Sequence, residues 1–150
     1  MEPIYVYTDG ASKGNPGPGG YGVVLKSGTH YKELSGGVAQ TTNNRMELLA
    51  VIVGLEAVKR ECADIVVYSD STYVVNAINK GWLFEWEKKG LQKRKNCDLW
   101  ERFLVIYRKH RVRMVWIKGH AGHLENERCD RLAVSEAEKF LEQSNLDIKQ

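Results

Sequence analysis

The chain has 150 residues, of which 43% are hydrophobic and 27% charged, and its formal net charge is +3. These proportions are typical of a single soluble globular domain and argue against intrinsic disorder. No apolar run approaches the roughly 18 residues that a membrane helix needs. The N-terminus lacks the features of a secretion signal. Three cysteines without a Cys-x-x-Cys pair do not suggest a disulfide framework, so we expect a cytoplasmic protein without a membrane partner.

Basic residues are concentrated in one segment. From Lys80 to Lys118 twelve Lys and Arg residues stand against four Asp and Glu, whereas the rest of the chain is acidic. Such a segment predicts a polyanionic partner, with nucleic acid the first candidate. The alternative is that these lysines only solvate exposed helix faces.

The first forty residues have the pattern of β-structure. A short strand is predicted at 4–9, and the Gly- and Pro-rich stretch 14–20 is predicted to be a loop. Two further strands at 21–26 and 31–38 flank a short turn. Links this short predict an antiparallel three-strand meander.

The hydrophobic period then changes from strand to helix. Polar residues at 41–44 precede a helix with one apolar stripe, formed by Met46, Leu49, Ala50, Val53 and Ala57. The β-branched run at 65–69 predicts a buried strand. The remaining elements are helices at 70–79, 81–90 and 98–110, a strand at 112–117 and a helix from 125 to about 141.

This order of elements predicts an α/β fold. The meander and the two later strands form a five-stranded mixed sheet flanked by helices. The right-handed crossover rule places the strand at 65–69 parallel to the strand at 4–9. We expect one domain over 1–142, followed by a polar C-terminal tail at 143–150.

Four acidic residues are placed to meet at one edge of this sheet. Asp9 and Asp70 end the two parallel strands, Glu47 lies in the first turn of a helix, and Asp130 lies near the start of the last helix. Open α/β sheets bind ligands at this edge. Clustered carboxylates repel unless a cation neutralises them, and hard oxygen ligands favour Mg²⁺ or Mn²⁺.

Each acid also has a purely structural interpretation. Asp70 could cap the following helix, and Glu47 could close a capping box with Asn44. Asp9 could be a turn residue before a glycine, and Asp130 an exposed helix charge.

Four separated motifs resemble those of the type 1 ribonuclease H family, and most closely those of its bacterial stand-alone members. They are YTDGASKGNPGPGGYG at 7–22, TTNNRME at 41–47, SDS at 69–71 and KGHAGHLENERCD at 118–130. The resemblance spans residues 4 to 140 and implies a ribonuclease H-like fold. It also implies a metal-dependent endonuclease that hydrolyses the RNA strand of RNA·DNA hybrids, leaving 5′-phosphate and 3′-hydroxyl ends.

The resemblance implies a role for each matching residue. The family's metal-binding carboxylates match Asp9, Glu47, Asp70 and Asp130, and its catalytic histidine matches His120. Two divalent ions, Mg²⁺ with Mn²⁺ as a substitute, would then stabilise the attacking and leaving oxygens at phosphorus. Asp9 would bridge them.

The resemblance also implies a set of substrate contacts. These comprise Asn15 and Thr42 near a DNA phosphate, Asn43 and Asn44 in the minor groove, Trp82 against the DNA strand, and Lys88 and Lys89 on phosphates. Ser12 occupies a contact position where some relatives have Cys, and Thr72 occupies one where many have Gln. The basic segment is shorter than in well-known members. Gly14, Gly17, Gly19 and Gly20 would let the backbone approach the RNA. We expect a monomer.

Other classes of protein remain as alternatives. A nucleotide-binding fold is disfavoured because the glycine-rich loop leads into a strand and lacks Gly-Lys-Ser/Thr. A zinc site could use His120, His123, Cys129 and Cys97, although their spacing matches no common finger. A catalytically silent hybrid-binding module would keep the basic surface without the metals. A reverse transcriptase domain would require the chain to be a fragment.

Overall fold

The computed structural model describes residues 2–149, with side chains for 2–143. The strands are β1 (Ile4–Ser12), β2 (Gly17–Ser27), β3 (His30–Thr41), β4 (Asp64–Ser69) and β5 (Arg111–Trp116). The helices are α1 (Asn43–Glu56), α2 (Thr72–Asn79), α3 (Trp82–Lys89), α4 (Cys97–Tyr107) and α5 (Leu124–Lys149), with a 3₁₀ turn at Leu91–Lys93.

The five strands form one mixed sheet in the order β3-β2-β1-β4-β5. The meander β1–β2–β3 is antiparallel, and β4 runs parallel to both β1 and β5. The predicted α/β fold with a mixed five-stranded sheet is therefore confirmed. Because β1 and β4 are parallel neighbours, residues that follow their carboxyl ends share one edge of the sheet.

The glycine-rich stretch is where the predicted boundaries are wrong. Residues 17–20 belong to β2 instead of a loop, and Gly19 and Gly20 pair with β1. Gly17, Gly19 and Gly20 are buried, so the expectation that they admit an RNA backbone is wrong for these three positions. A Cβ added at Gly20 would stand 2.2 Å from the carbonyl oxygen of Ala133. The absent side chain at Gly20 thus lets helix α5 pack directly on the strand.

Helix α1 is buried on more than the single predicted stripe. Leu48, Val51 and Ile52 are fully buried, although the predicted stripe did not include them. Leu49 and Val53 of the predicted stripe are only partly buried. The reason is that α1 contacts β1 and β2 on one side and α4 on the other, so little of its surface faces water.

The hydrophobic core fills the layer between the sheet and α1 and α2 and continues between α1 and α4, while α5 contacts β1, β2 and β3. The largest fully buried side chains include Trp100, Phe103, Leu48, Ile52, Leu55 and Ile65. This packing fixes the amino-terminal ends of α1 and α2 beside the carboxyl ends of β1 and β4.

The last helix is longer than expected. Its backbone continues to Lys149, beyond the predicted end near residue 141. The side chains of 144–150 lie outside the described residues, so the polar tail at 143–150 and the domain limit at 142 stay predictions. Within the described chain, every helix falls short of the length and apolar character needed to cross a bilayer.

Candidate active site

Three carboxylates meet at the edge of the sheet. Asp9 lies in β1, Glu47 in the second turn of α1 and Asp70 directly after β4, and one oxygen of each lies within 4.8 Å of the others. Gly10 makes this approach possible, because a Cβ there would stand 2.4 Å from the backbone nitrogen of Glu47. The predicted meeting of these three acids is therefore observed.

One backbone amide joins two of the carboxylates. The Gly10 N–H donates to Oδ1 of Asp9 at 2.9 Å and to Oε1 of Glu47. Both carboxylates are buried, with 7% and 6% of each residue exposed. A single neutral donor cannot offset two buried negative charges, so this pair requires a proton or a cation.

Burial and mutual repulsion raise the pKa of these acids. Burial raises the pKa of Asp9 to about 7, and repulsion from Asp70 and Asp130 adds to it, although hydrogen bonds with Glu47 and Gly10 oppose the shift. Burial, followed by the charge of Asp9, holds the pKa of Glu47 well above its usual value. Without a cation, the cluster therefore retains a proton at neutral pH.

The donor set fits a hard divalent cation. Oδ1 of Asp70 is buried and has no hydrogen-bond partner among the described residues. An unpartnered, buried carboxylate oxygen between two other carboxylates is the environment that Mg²⁺ or Mn²⁺ would neutralise. In the described part of the chain this is also the only group of three or more side chains that could hold a metal, so the alternative of a His/Cys zinc site finds no support there.

Other residues perform the structural roles considered for the acids. Ser71 caps α2 by accepting a hydrogen bond from the amide of Val74, and Thr42 caps α1. Asp9 lies inside β1 and not in a turn. The capping interpretations of Asp70 and Glu47 are therefore wrong. Helix capping does not explain why these two acids lie close together.

Asp130 and His120 stand apart from this three-carboxylate cluster. Asp130 is half-buried in α5 and is near enough for its charge to raise the pKa of Asp9. His120 is exposed between β5 and α5, in a backbone conformation with φ of 55°. The structure brings neither into the cluster, and their predicted roles stay predictions.

Two residues that the sequence reasoning did not single out flank Asp70. The indole N–H of Trp116 donates to the backbone oxygen of Asp70 at 3.1 Å. A Cβ added at Gly119 would stand 2.6 Å from Oδ2 of Asp70. The only feature of the sequence that could have pointed to Gly119 is its place inside the fourth motif. Trp116 is 49% exposed, so its ring lies at the surface beside the acidic cluster.

The predicted minor-groove and phosphate contacts lie at the start of α1 and at the ends of two neighbouring elements. Oδ1 of Asn15 accepts a hydrogen bond from the amide of Asn43 at 3.0 Å. Asn43 and Asn44 are exposed, and Thr42 is half-buried. Ser12 ends β1 half-buried, whereas Thr72 opens α2 exposed.

The predicted basic surface is exposed on α3 and its flanks. Trp82 is 44% exposed, and the ammonium group of Lys80 lies 5.3 Å from the centre of its ring. Lys88 and Lys89 are exposed in the last turn of α3. Lys88 has Glu85 at 3.7 Å, whereas no ion pair is found for Lys89 within the described side chains. Cations around an exposed indole ring suit a nucleic-acid backbone.

Comparisons with known proteins agree with this geometry. The RNase H family model matches residues 1–138. A curated relative from Desulforamulus reducens, named Ribonuclease H, is 56% identical over 144 residues, covering 93% of this chain and 90% of its own. A solved structure of LC9-RNase H1, described as a type 1 RNase H with the type 2 active-site motif, superposes with a TM-score of 0.83 at 32% identity, over 93% of this chain and 74% of that one.

A further solved structure contains a substrate duplex. LC11-RNase H1 in complex with an RNA/DNA hybrid superposes with a TM-score of 0.68 at 29% identity, over 92% of this chain and 99% of that one. The family match covers almost the whole chain, and the buried acidic cluster lies at the edge of the sheet where the sequence motifs meet. The chain belongs to the ribonuclease H family of endonucleases, which cut the RNA strand of RNA·DNA hybrids.

Proposed function

We propose that this ribonuclease H hydrolyses the RNA strand of a hybrid at the acidic cluster, with divalent ions held by Asp9, Glu47, Asp70 and Asp130. Mg²⁺ is the proposed ion, and Mn²⁺ a substitute. When bound, such ions would stabilise the attacking and the leaving oxygen of an in-line displacement at phosphorus, giving 5′-phosphate and 3′-hydroxyl ends.

One observation carries the proposal. One oxygen of each of three carboxylates lies within 4.8 Å of the others; Asp9 and Glu47 are buried and Asp70 is half-buried, and among the described residues neither an ion pair nor a helix cap accounts for them. Burying mutually repelling acids costs stability, and it persists in a fold only where another requirement maintains it. Binding divalent cations is the requirement that the chemistry of three carboxylates best meets.

The side chains have separate tasks in this proposal. Asp9 is hydrogen-bonded with Glu47, and the charges of Asp70 and Asp130 both act on it, so we assign it as the residue that would serve both ion sites. Glu47 and Asp70 would complete one site, and Asp130 would contribute to the other. His120, on its exposed loop, relays a proton or assists product release.

Recognition of the hybrid is assigned to two surfaces. The amides of Asn43 and Asn44 are exposed at the start of α1, where they can donate to and accept from 2′-hydroxyls. Asn15 and Thr42 lie beside them, and we assign further contacts to Ser12 at the end of β1 and Thr72 at the start of α2. Trp82, Lys88 and Lys89 are assigned to the DNA strand. The LC11-RNase H1 complex with a hybrid supports this class of partner. A monomeric state and a cytoplasmic location are also proposed.

The decisive experiment compares Asp9→Asn with Asp64→Asn. Both carboxylates belong to neighbouring parallel strands, but Asp64 is exposed at the opposite end of β4 and is paired with Arg111 at 2.6 Å. Cleavage of a labelled hybrid, of duplex RNA and of duplex DNA is measured with Mg²⁺ and with EDTA. We expect hybrid-only cleavage that EDTA abolishes, and a loss of at least about 100-fold in Asp9→Asn alone.

Binding of the hybrid is measured in parallel by fluorescence anisotropy. Asp9→Asn should bind the hybrid nearly as well as the parent protein, because the contact surfaces are unchanged. Wild-type cleavage by Asp9→Asn in Mg²⁺ would refute the site assignment. A parent protein that binds the hybrid but never cuts it would be the catalytically silent module instead.

A further inference from the structure

Helix α5 contacts the sheet through two glycines of β2. A Cβ at Gly22 would stand 2.2 Å from the carbonyl oxygen of Cys129, and one at Gly20 would stand 2.2 Å from that of Ala133. Two residues along a strand and four along a helix cover similar distances, about 6.6 Å and 6.0 Å. The two glycines therefore receive two successive turns of α5, with strand and helix running in opposite directions.

The contact at Gly22 is the one nearest the active site. Gly22 is the direct partner of Asp9 in the β1–β2 ladder, so the two residues face the same side of the sheet. Cys129 is fully buried on that side, and its thiol donates to the backbone oxygen of Tyr7 at 3.2 Å. Residue 129 is thus held against β1 and β2 at once, and Asp130 is the next residue.

Ion pairs hold the same part of α5 to the sheet. The guanidinium of Arg128 donates to both carboxylate oxygens of Glu33 on β3, at 2.7 and 2.9 Å. Lys26 on β2 pairs with Glu125 at 2.9 Å. These contacts lie within five residues of Asp130, so the helix has little freedom to shift there without breaking them.

We propose that Gly22 is a positioning residue that sets the distance between Asp130 and Asp9 by admitting the backbone of Cys129 against β2. This inference rests on the proposed function, because it concerns the fourth metal-binding carboxylate. A methyl group at position 22 would push this turn of α5 off the sheet and carry Asp130 away from Asp9. The cluster of Asp9, Glu47 and Asp70 would remain, since none of its members belongs to α5.

Gly20→Ala is a matched control for Gly22→Ala. Each adds one methyl group to the same face of β2, and each meets a helix carbonyl at 2.2 Å and a side-chain Cβ at 2.8 Å. Both variants should lose similar stability. Only Gly22→Ala should shift the residue beside Asp130, because the Gly20 contact lies one helical turn further from the site.

The first measurement is the dependence on divalent ion. For Gly22→Ala we expect the Mg²⁺ concentration that gives half-maximal hybrid cleavage to rise about 10-fold, the effect typical of disturbing a ligand's support. Calorimetric titration of the nucleic-acid-free protein with Mn²⁺ should show binding weakened by a similar factor. Gly20→Ala should remain close to the parent protein in both. Equal shifts in the two variants, or none in Gly22→Ala, would overturn the proposal.

A second pair of variants covers the case in which Gly22→Ala does not fold. Glu33→Gln removes the charge and one of the two acceptors from the part-buried pair that holds Arg128, and Ser35→Ala breaks a 3.0 Å hydrogen bond from the same strand to Glu136, further along α5. Glu33→Gln should raise the half-maximal Mg²⁺ concentration and weaken Mn²⁺ binding, whereas Ser35→Ala should not. Identical titrations for the two variants would overturn the proposal.

Asp9→Asn distinguishes failure of the proposed metal site from failure of the positioning role of Gly22. If it cleaves the hybrid like the parent protein, the proposed metal site is wrong. If Asp9→Asn is inactive while Gly22→Ala and Gly20→Ala titrate alike, the metal site stands and only the positioning role of Gly22 fails.

Discussion

Gly119 lies directly against the carboxylate of Asp70. A Cβ on Gly119 would stand 2.6 Å from Oδ2 of Asp70, closer than van der Waals contact allows. The loop between β5 and α5, which carries His120, is thereby in contact with the acidic cluster through a glycine. The side chain of Asp70 can rotate away from an added methyl group. Such a group would therefore displace the carboxylate and change the stability of the protein little.

We therefore expect Gly119→Ala to lower hybrid cleavage by about 10- to 100-fold, because misplacing a metal ligand by a fraction of its contact distance impairs the reaction. Its melting temperature should change little. Ala121→Ser, an exposed change in the same loop, is the control. Single-turnover cleavage and thermal unfolding measure the two effects. Normal cleavage by Gly119→Ala would show that this contact does not constrain Asp70.

The raised pKa of Asp9 predicts how stability depends on pH in EDTA. The folded protein holds a proton on Asp9 up to about pH 7, whereas the unfolded chain releases it near 3.8. The folded state thus binds more protons in this window, and stability falls as pH rises, by about 1.4 kcal/mol per pH unit for one proton. Asp9→Asn should remove the part of this slope that Asp9 contributes, leaving that of the buried Glu47, and should unfold at a higher temperature than the parent protein at pH 8.

Asp64→Asn provides a control of opposite sign. Its hydrogen bond to Arg111 lowers the pKa of Asp64, so the folded state binds fewer protons and ionisation of this residue favours folding. Chemical unfolding in EDTA from pH 4 to pH 8 should show that Asp64→Asn is no more stable than the parent protein at any pH. A lower unfolding temperature for Asp9→Asn than for the parent at pH 8 would contradict the prediction.

Exposed lysines on α3 predict a salt effect on binding. Each phosphate contact contributes a slope of about 0.9 to the dependence of the logarithm of affinity on the logarithm of salt concentration. Replacing Lys88 and Lys89 with Gln should reduce this slope by about one to two. Lys59 and Lys109 are equally exposed but lie beyond the far ends of α1 and α4. The same change there should leave the slope unaltered, and equal slopes for the two double variants would remove α3 from the binding surface.

Two ion pairs join α1 to α4 and allow a matched comparison. The guanidinium of Arg45 contacts both oxygens of Asp98 at 2.9 and 2.7 Å, beside the exposed Asn44. Arg102 pairs with Glu56 at the other end of α1. Both pairs are largely exposed, so Asp98→Asn and Glu56→Gln should each cost no more than about 1 kcal/mol of unfolding free energy.

Only Asp98→Asn should affect the substrate. It releases Arg45 at the start of α1, where the proposed minor-groove contacts lie, so we expect a KM for the hybrid several-fold higher with kcat little changed. Steady-state kinetics at saturating Mg²⁺ distinguish the two variants. A higher KM in Glu56→Gln as well would mean that general loosening of the helix pair is responsible.

Local pattern predicted most of the architecture. The alternating strand at 4–9, the β-branched run at 65–69 and the crossover rule placed Asp9 and Asp70 on neighbouring parallel strands, as the structure confirms. The family resemblance is likewise confirmed. The pattern failed at 17–20, because glycines in a strand are indistinguishable from a loop until the helix that covers them is known.

The limits of the site prediction have a similar origin. The sequence brought Asp9, Glu47 and Asp70 together, because strand ends and a helix start are local features. It did not find Gly119 or Trp116 beside Asp70, since their contacts depend on the course of a loop after β5. Likewise, the stripe on α1 gave only one buried face, because contact with α4 depends on packing between distant segments.

The close approach of three acidic side chains, two of them buried, affects how this protein could be made more stable. Substitutions that neutralise the cluster would raise the stability of the ion-free protein and remove its catalytic activity. Selecting variants for thermal stability alone would therefore favour inactive ones. At this edge of the sheet, catalytic activity and stability place opposite requirements on the same side chains. Improvements that retain the enzyme must therefore come from regions remote from it, such as the exposed pairs between α1 and α4.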